Sequence, residues 1–409
     1  MTPRADLVAQ VVLTKFDQLP AKRRPSIRQN GLHEWIPLSA IVAERDGEFY
    51  CLALATGMKC LPASKIPTSN GIILHDWHAE ILAIRTFNRY LLDECLRLLK
   101  DGSESTILDH NKQPPLPDSE RETARPFKVK SNVKLHMYCS EAPCGDASME
   151  LTMTAQDDAT PWEVPTPAAG DPPEQSLLGR EFFSRLGVVR RKPGRRDAPP
   201  TLSKSCSDKL ALKQCTSLLS SITSLFIEPE NAYIDTLIVP AFQYTEIGYE
   251  RSFSPRGRMK PLEGHFWKDG YSFKPFSIDT TELEFSFSKK SIAERAEKIA
   301  PSPVGAAWSS PMFSESIVGG ILQGKKPSDI RGASRTSRRQ MWLAAKDLAD
   351  QLGDGYTGIQ VCLGKATYGA VKSDSLLACR GQVTASARNS ALTGWVRNRG
   401  DADFCVDLE

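Results

Sequence analysis

Asn70-Gly-Ile-Ile-Leu-His-Asp-Trp-His-Ala-Glu-Ile-Leu-Ala-Ile-Arg85 is the stretch on which the reading of this chain turns. His78 and Glu80 stand two residues apart at the mouth of an apolar run. Ile81, Leu82, Ile84, Tyr90, Leu91, Leu92 and Leu98 continue at helical spacing to about Leu99. Glu80 is therefore expected in the first turn of a buried helix, where the helix dipole favours a negative charge. An imidazole at this place can bind a metal, and the carboxylate can reach a water beside the metal without ligating it. Alone, the triplet is a common chance match, and a solvated helix start explains it equally well. Suitably placed thiolates further along would give it weight.

The chain has 409 residues and ten cysteines, too sparse for a disulfide scaffold, so a reducing, intracellular setting (cytoplasm, nucleus or both) is expected. Its 52 Lys+Arg against 49 Asp+Glu leave a net charge of +3, which by itself points to no nucleic-acid partner. No apolar run approaches the roughly 18 to 20 residues of a membrane span, and no signal-peptide hydrophobic region opens the chain. Cys51, Cys60, Cys95, Cys215, Cys362, Cys379 and Cys405 sit among apolar neighbours and read as small core residues. Two others differ. Cys144 lies in Cys139-Ser-Glu-Ala-Pro-Cys-Gly-Asp-Ala-Ser148, where an alternating strand from Val133 to Tyr138 gives way to a helix-capable run. Cys206 lies in Ser203-Lys-Ser-Cys-Ser-Asp-Lys209, opening a helix read to about Phe226, with Ser207 and Asp208 as cap-type residues. A cysteine at a helix start has its thiolate favoured by free N–H groups and the dipole.

Around these motifs the pattern predicts an amphipathic first helix over residues 5–19 and a hairpin over 41–55 turning at Arg45-Asp46-Gly47. Further strands are expected at Tyr233–Val239, Leu283–Phe287 and Val304–Ser310, and helices at Arg338–Leu352 and Ser373–Val396. Residues 245–280 read as irregular and basic. Polar stretches near 101–130 and 155–180 read as insertions within one domain spanning 1–409, not as boundaries. The loop 187–201 carries Arg190, Arg191, Lys192, Arg195 and Arg196, candidates for phosphate contacts, with a solvated charged loop as the plain alternative.

His78, Cys144 and Cys206 supply three ligands of types that zinc accepts, leaving a fourth tetrahedral position open as catalytic sites do. H-x-E, then Pro-Cys, then a second Cys, with the glutamate as general acid and base, is the grammar of zinc nucleobase deaminases. Ala147 stands where a close C-x-x-C would put the second thiolate, so Cys206 must provide it. That arrangement resembles the editing adenosine deaminases acting on RNA and their tRNA-specific relatives. The resemblance rests on His75-Asp-Trp-His-Ala-Glu80, Ala142-Pro-Cys-Gly-Asp-Ala147 and Ser205-Cys-Ser-Asp-Lys209. Weaker matches at His33-Glu-Trp35, Thr56-Gly-Met-Lys-Cys-Leu61 and Gly394-Trp-Val396 extend it over nearly the whole chain.

The resemblance implies an α/β fold of the cytidine-deaminase type. It would be an α/β/α sandwich with a mixed sheet of about five strands, an added helical C-terminal part, and the metal at helix N-termini. It implies zinc-dependent deamination of adenosine to inosine in tRNA, with Glu80 moving the proton. The tRNA-specific members in particular imply the adenosine just 3′ of the anticodon of alanine tRNA, and no membrane, DNA or obligate protein partner. It also implies a buried inositol hexakisphosphate held by Arg85, Lys209, Tyr368, Lys372 and Trp395, with Arg338 a weaker match, and a polar relay through Asp76, Lys209 and Lys192. Departures from the family pattern are His75, Ile84, Leu212-Lys213 and Arg397-Asn398. A deaminase of cytidine or duplex RNA, and a zinc- or inositol-phosphate-containing RNA-binding protein without catalysis, are the competing readings. The distant second cysteine, the lack of room for duplex-RNA-binding domains and the presence of Glu80 argue against them.

Overall fold

The computed structural model describes residues 2–102, 104–111, 125–156, 159–160, 177–179, 183–192, 198–310 and 312–406. Eight strands make the central sheet: β1 (Leu38–Arg45), β2 (Glu48–Thr56), β3 (Val133–Cys139), β4 (Thr236–Pro240), β5 (Ser277–Thr281), β6 (Gly305–Ser309), β7 (Phe313–Val318) and β8 (Ile321–Leu322). Their order is β5-β4-β3-β1-β2-β6-β7-β8. β3, β4 and β5 run parallel, with Thr236 opposite both His136 and Ser277, and every other pairing is antiparallel. The β1–β2 hairpin turns at Asp46 and Gly47, both at positive φ (53° and 83°), the backbone that a tight two-residue turn requires.

Side chains alternate across β1, so each face is apolar in its own right. Ala40 and Val42 face Val8, Val12 and Phe16 of α1 (Arg4–Asp17). Ile41 and Ala43 join the larger core with Phe87 and Leu91 of α2 (Ala79–Asp101). Helices on both faces of a twisted mixed sheet give the expected α/β/α sandwich. A short helix α3 (Met149–Thr154) follows the turn after β3; on the α2 side lie α4 (Cys206–Thr216) and α5 (Glu246–Phe253), then the C-terminal helices α6 (Arg338–Ala349), α7 (Thr357–Leu363), α8 (Tyr368–Lys372) and α9 (Ala378–Ser390). The buried Trp342 of α6 donates its indole N–H to the Leu363 carbonyl at 2.9 Å, tying this layer together.

Several elements depart from the sequence reading. The sheet has eight strands, not about five. β7 and β8 are a half-exposed edge hairpin whose polar Ser-Glu-Ser carries no strong strand signal. Leu283–Phe287 forms no strand; Phe285 and Phe287 pack their rings against Phe16 at 4.7 and 5.7 Å, and that packing accounts for the alternation. The helix that Cys206 opens ends at Thr216, because Ser217 takes φ 57° and the chain turns away. The ends of the first polar stretch are ordered: Leu108–His110 and Phe127–Val129 form a small sheet with Ile227–Glu228. Much of that stretch, and most of 155–180, falls outside the described residues.

Candidate active site

Three chain segments meet beyond the end of β3. The loop before α2 brings His78, which is its N-cap residue, and Glu80 in its first turn. The turn after β3 brings Cys144, and the start of α4 brings Cys206. The cap of α4 is Ser205, whose hydroxyl oxygen accepts the Asp208 N–H at 3.1 Å, and not Ser207 or Asp208 as the sequence reading had it. This is the place where open α/β sheets gather ligands, at strand ends and helix N-termini.

His78 is fixed from both sides. Its backbone N–H donates to Asp76 Oδ1, and the same oxygen lies 3.0 Å from His78 Nδ1, which leaves Nε2 to face a ligand. Asp76 Oδ2 in turn accepts from Ser203 Oγ at 2.6 Å, from Lys192 Nζ at 2.9 Å and from Lys209 Nζ. Burial opposes the Asp76 charge, but the two lysines outweigh it and hold the carboxyl well below its usual range. The Lys192 ammonium also lies 3.2 Å from Cys206 Sγ, and Cys144 Sγ accepts the Cys206 N–H at 3.4 Å. The two sulfurs share a hydrogen bond: it holds Cys144 well below the usual thiol range, while burial pushes Cys206 up. Burial first, and Cys144 second, raise Glu80 above an ordinary carboxyl. One imidazole oriented through Nδ1, two adjoining sulfurs and a buried proton carrier suit a tetrahedral zinc site with one open position.

Cys60, read above as a core residue, stands here as well. Its sulfur lies 3.5 Å from His78 Nδ1, and with Asp76 it forms a group whose ligand atoms lie within 4.8 Å of one another. That group converges on Nδ1, which Asp76 already engages, and Asp76 Oδ2 carries three donors. Those contacts orient His78, and the same three ligand atoms lie close enough together to hold an ion.

Behind α2 lies a cavity of about 230 Å³, lined by Arg85, Lys209, Lys213, Arg338, Tyr368 and Trp395 among others. Among the described lining residues there is no carboxylate. Burial, then Arg380 and Lys372, push Lys213 well below the usual lysine range. Burial likewise brings Arg85 down to about 10, with Arg338 adding to it. Desolvated like charges around one void are stabilised by a bound polyanion, so the donor chemistry fits a phosphate-rich ligand. Lys372 is not among the lining residues; its ammonium donates to Ser221 Oγ, next to the lining Ser220. Two departures from the family pattern meet in a network that reaches the lining Arg338. His75 Nδ1 and Asn398 Nδ2 are 3.0 Å apart, and His75 Nε2 lies 2.8 Å from Asp401, which also pairs with Arg338.

The basic loop is divided. Arg190 is buried, donating inward to the Gly179 and Arg185 carbonyls, so its guanidinium is not on the surface for an RNA phosphate. Arg191 is half-buried in the same short strand, and Arg195 and Arg196 lie outside the described residues.

The model of the adenosine-deaminase (editase) domain matches residues 53–399. The chain belongs to that family. Among curated proteins it is 39% identical over 335 residues to "tRNA-specific adenosine deaminase 1" of Schizosaccharomyces pombe, covering 80% of each chain. It is 38% identical over 259 residues to the Saccharomyces cerevisiae protein of the same name, 60% of this chain and 61% of the other. The Drosophila melanogaster "Double-stranded RNA-specific editase Adar" is 26% identical over 259 residues, 34% of its length. Membership in the editase family implies a metal in the site. The match begins inside β2 and reaches past Trp395, so it takes in both the His-Cys-Cys constellation and the cationic cavity.

Proposed function

We propose that this chain converts adenosine to inosine in tRNA by hydrolysis, with zinc at His78, Cys144 and Cys206. We further propose that its target is the adenosine 3′-adjacent to the anticodon, position 37, of alanine tRNA. The observation that carries the reading is Glu80, buried against Cys144 and His78 with its carboxyl raised by that burial. A purely structural zinc site has no use for such a group. The relatives named for tRNA-specific deamination support the choice of RNA.

A bound zinc supplies Lewis acidity that brings a water's pKa toward neutrality. Glu80 accepts a proton from that water as its oxygen adds to C6 of adenine. It passes that proton to N1 of the ring, then carries the remaining proton from the C6 hydroxyl to the departing amine, so ammonia leaves and inosine keeps N1–H and the C6 carbonyl. Asp76 holds the His78 imidazole in one tautomer and orientation, and Lys192 balances the negative charge at Cys206 and Asp76. The base must leave its stack to reach Glu80, which is least costly from a single-stranded anticodon loop. Arg85, Lys209, Lys213, Arg338, Tyr368 and Trp395 would hold an inositol hexakisphosphate, with Lys372 at the margin. Lys209 spans the two regions, because it lines the cavity and also donates to Asp76.

The test incubates zinc-loaded protein separately with alanine tRNA, the same tRNA carrying guanosine at the target position, duplex RNA and free adenosine. Nucleoside mass spectrometry then reads inosine. Inosine in the first substrate alone is expected; inosine only in duplex RNA or in free nucleoside would replace this function with another.

A further inference from the structure

Both cysteines occur in one local pattern, Cys144-Gly-Asp146 and Cys206-Ser-Asp208, and neither aspartate belongs to the chemistry above. Both are fully buried. Each is met by an arginine from the same short stretch, which the sequence showed only as basic. Arg251 on α5 places Nε 3.0 Å from Asp146 Oδ2 and Nη2 2.9 Å from the Asp146 carbonyl. Arg258 places Nη1 2.6 Å from Asp208 Oδ1. The two arginines are tied to each other. Ser252 donates its hydroxyl to Asp146 Oδ2 at 2.9 Å, while its carbonyl accepts Arg258 Nε at 3.0 Å; the Arg258 N–H reaches the Arg251 carbonyl.

We propose that Arg251 and Arg258 are positioning residues for the metal centre, one staple that sets the spacing of the Cys144 and Cys206 sulfurs. A buried ion pair contributes little net stability over an apolar pair of the same shape. Two of them, joined through one serine and each two residues from a ligand, instead constrain where the ligands sit. The two turns also touch directly: the Cys206 and Ser207 N–H groups donate to the Cys144 sulfur and carbonyl, and the Ser207 hydroxyl donates to the Pro143 carbonyl at 2.9 Å and accepts the Ala147 N–H at 3.2 Å.

This inference rests on zinc being held by the two cysteines, and the experiment separates the two claims. Zinc affinity of the full chain is measured by competition with a chromophoric chelator. The cobalt-substituted protein then gives its thiolate-to-cobalt absorption, and kcat and KM for tRNA are taken alongside. Cys206→Ser tests the ligand reading: unchanged zinc affinity there would remove the metal site itself. Arg258→Met and Arg251→Met are expected to weaken zinc about ten- to hundredfold, as loss of groups that orient ligands does. They should also shift the cobalt absorption and lower kcat with KM kept. Arg258→Lys, which keeps the charge but cannot reach both Ser252 and Asp208, should fall between. Arg256→Ala, in the same stretch but exposed and paired with Glu250, should leave all of these unchanged. If Cys206→Ser loses zinc while Arg258→Lys and both methionine variants keep wild-type affinity and cobalt absorption, the staple is overturned. Should the methionine variants fail to fold, Arg258→Lys against Arg256→Ala still decides it.

Discussion

Glu80 and Asp76 are both buried carboxyls four residues apart, and their surroundings send them in opposite directions. Among the described residues Glu80 forms no ion pair, and burial raises it; Asp76 has two lysines, and they hold it ionised. One can exchange protons, while the other can only orient. Replacing Glu80 by Gln should reduce inosine formation at least about a hundredfold, as loss of a general acid–base does. Zinc content and thermal midpoint should stay at wild-type values, since the amide keeps the shape and needs no charge. Asp76→Asn should behave differently. It leaves the Lys192 and Lys209 ammoniums without their carboxylate and should cost about 3–5 kcal/mol, read as a lower urea midpoint. His78, Glu80, Cys144 and Cys206 were legible because each lies in a local motif whose spacing has chemical meaning. Cys60 was not, for its role depends on the backbone of 57–61 pairing with 75–79, with Leu61 N–H on the His75 carbonyl and Trp77 N–H on the Lys59 carbonyl. The stretch Thr56–Leu61 was noted only as part of a family pattern, and nothing in its composition distinguishes Cys60 from a core cysteine.

Among elements, the junction of the Cys144 turn with α4 is the least tolerant. Gly145 has φ 108°, and a Cβ there would lie 2.3 Å from Ser205 Oγ, the cap of α4. Gly145→Ala should therefore push the two cysteine segments apart, losing zinc in a metal assay while circular dichroism still reports the folded sheet and helices. Strong periodicity made α1, α2, α6 and the β1–β2 hairpin readable. The length of α4 was overread because Thr216-Ser-Leu-Leu-Ser-Ser-Ile-Thr keeps apolar spacing while its hydroxyls bond the local backbone, as Ser220 Oγ does with the Thr223 N–H. At eight residues α5 is too short to show a period, so the arginine at Asp146 looked like loop charge.

At the scale of the molecule, the cationic cavity joins residues from Arg85 to Trp395 across α2, α4 and the C-terminal layer. Its cations were suggested by resemblance alone, and Lys213, noted only as a departure, is the member that the fold adds. The folded chain depresses the Lys213 pKa below its unfolded value, so the unfolded chain binds the proton more readily. Without an anion, this group destabilises the fold at low pH, and the penalty disappears as pH rises through the unfolded lysine pKa of about 10.4. Lys213→Met should accordingly raise the thermal midpoint of anion-stripped protein near neutral pH, and should lower retention of inositol hexakisphosphate during purification. Phosphorus NMR of the denatured protein checks the second effect. The eight-stranded sheet extends the same lesson: β5, β7 and β8 are short and partly polar, and only their neighbours make them strands.

The central claim is that Glu80, beside a metal held by His78, Cys144 and Cys206, deaminates adenosine in tRNA. Its most direct test is inosine in alanine tRNA, read by nucleoside mass spectrometry after incubation with wild-type protein and with Glu80→Gln at matched zinc content. Inosine is expected with the wild type and none above background with the variant. Equal inosine from both proteins, or none from fully zinc-loaded wild type, would contradict the claim.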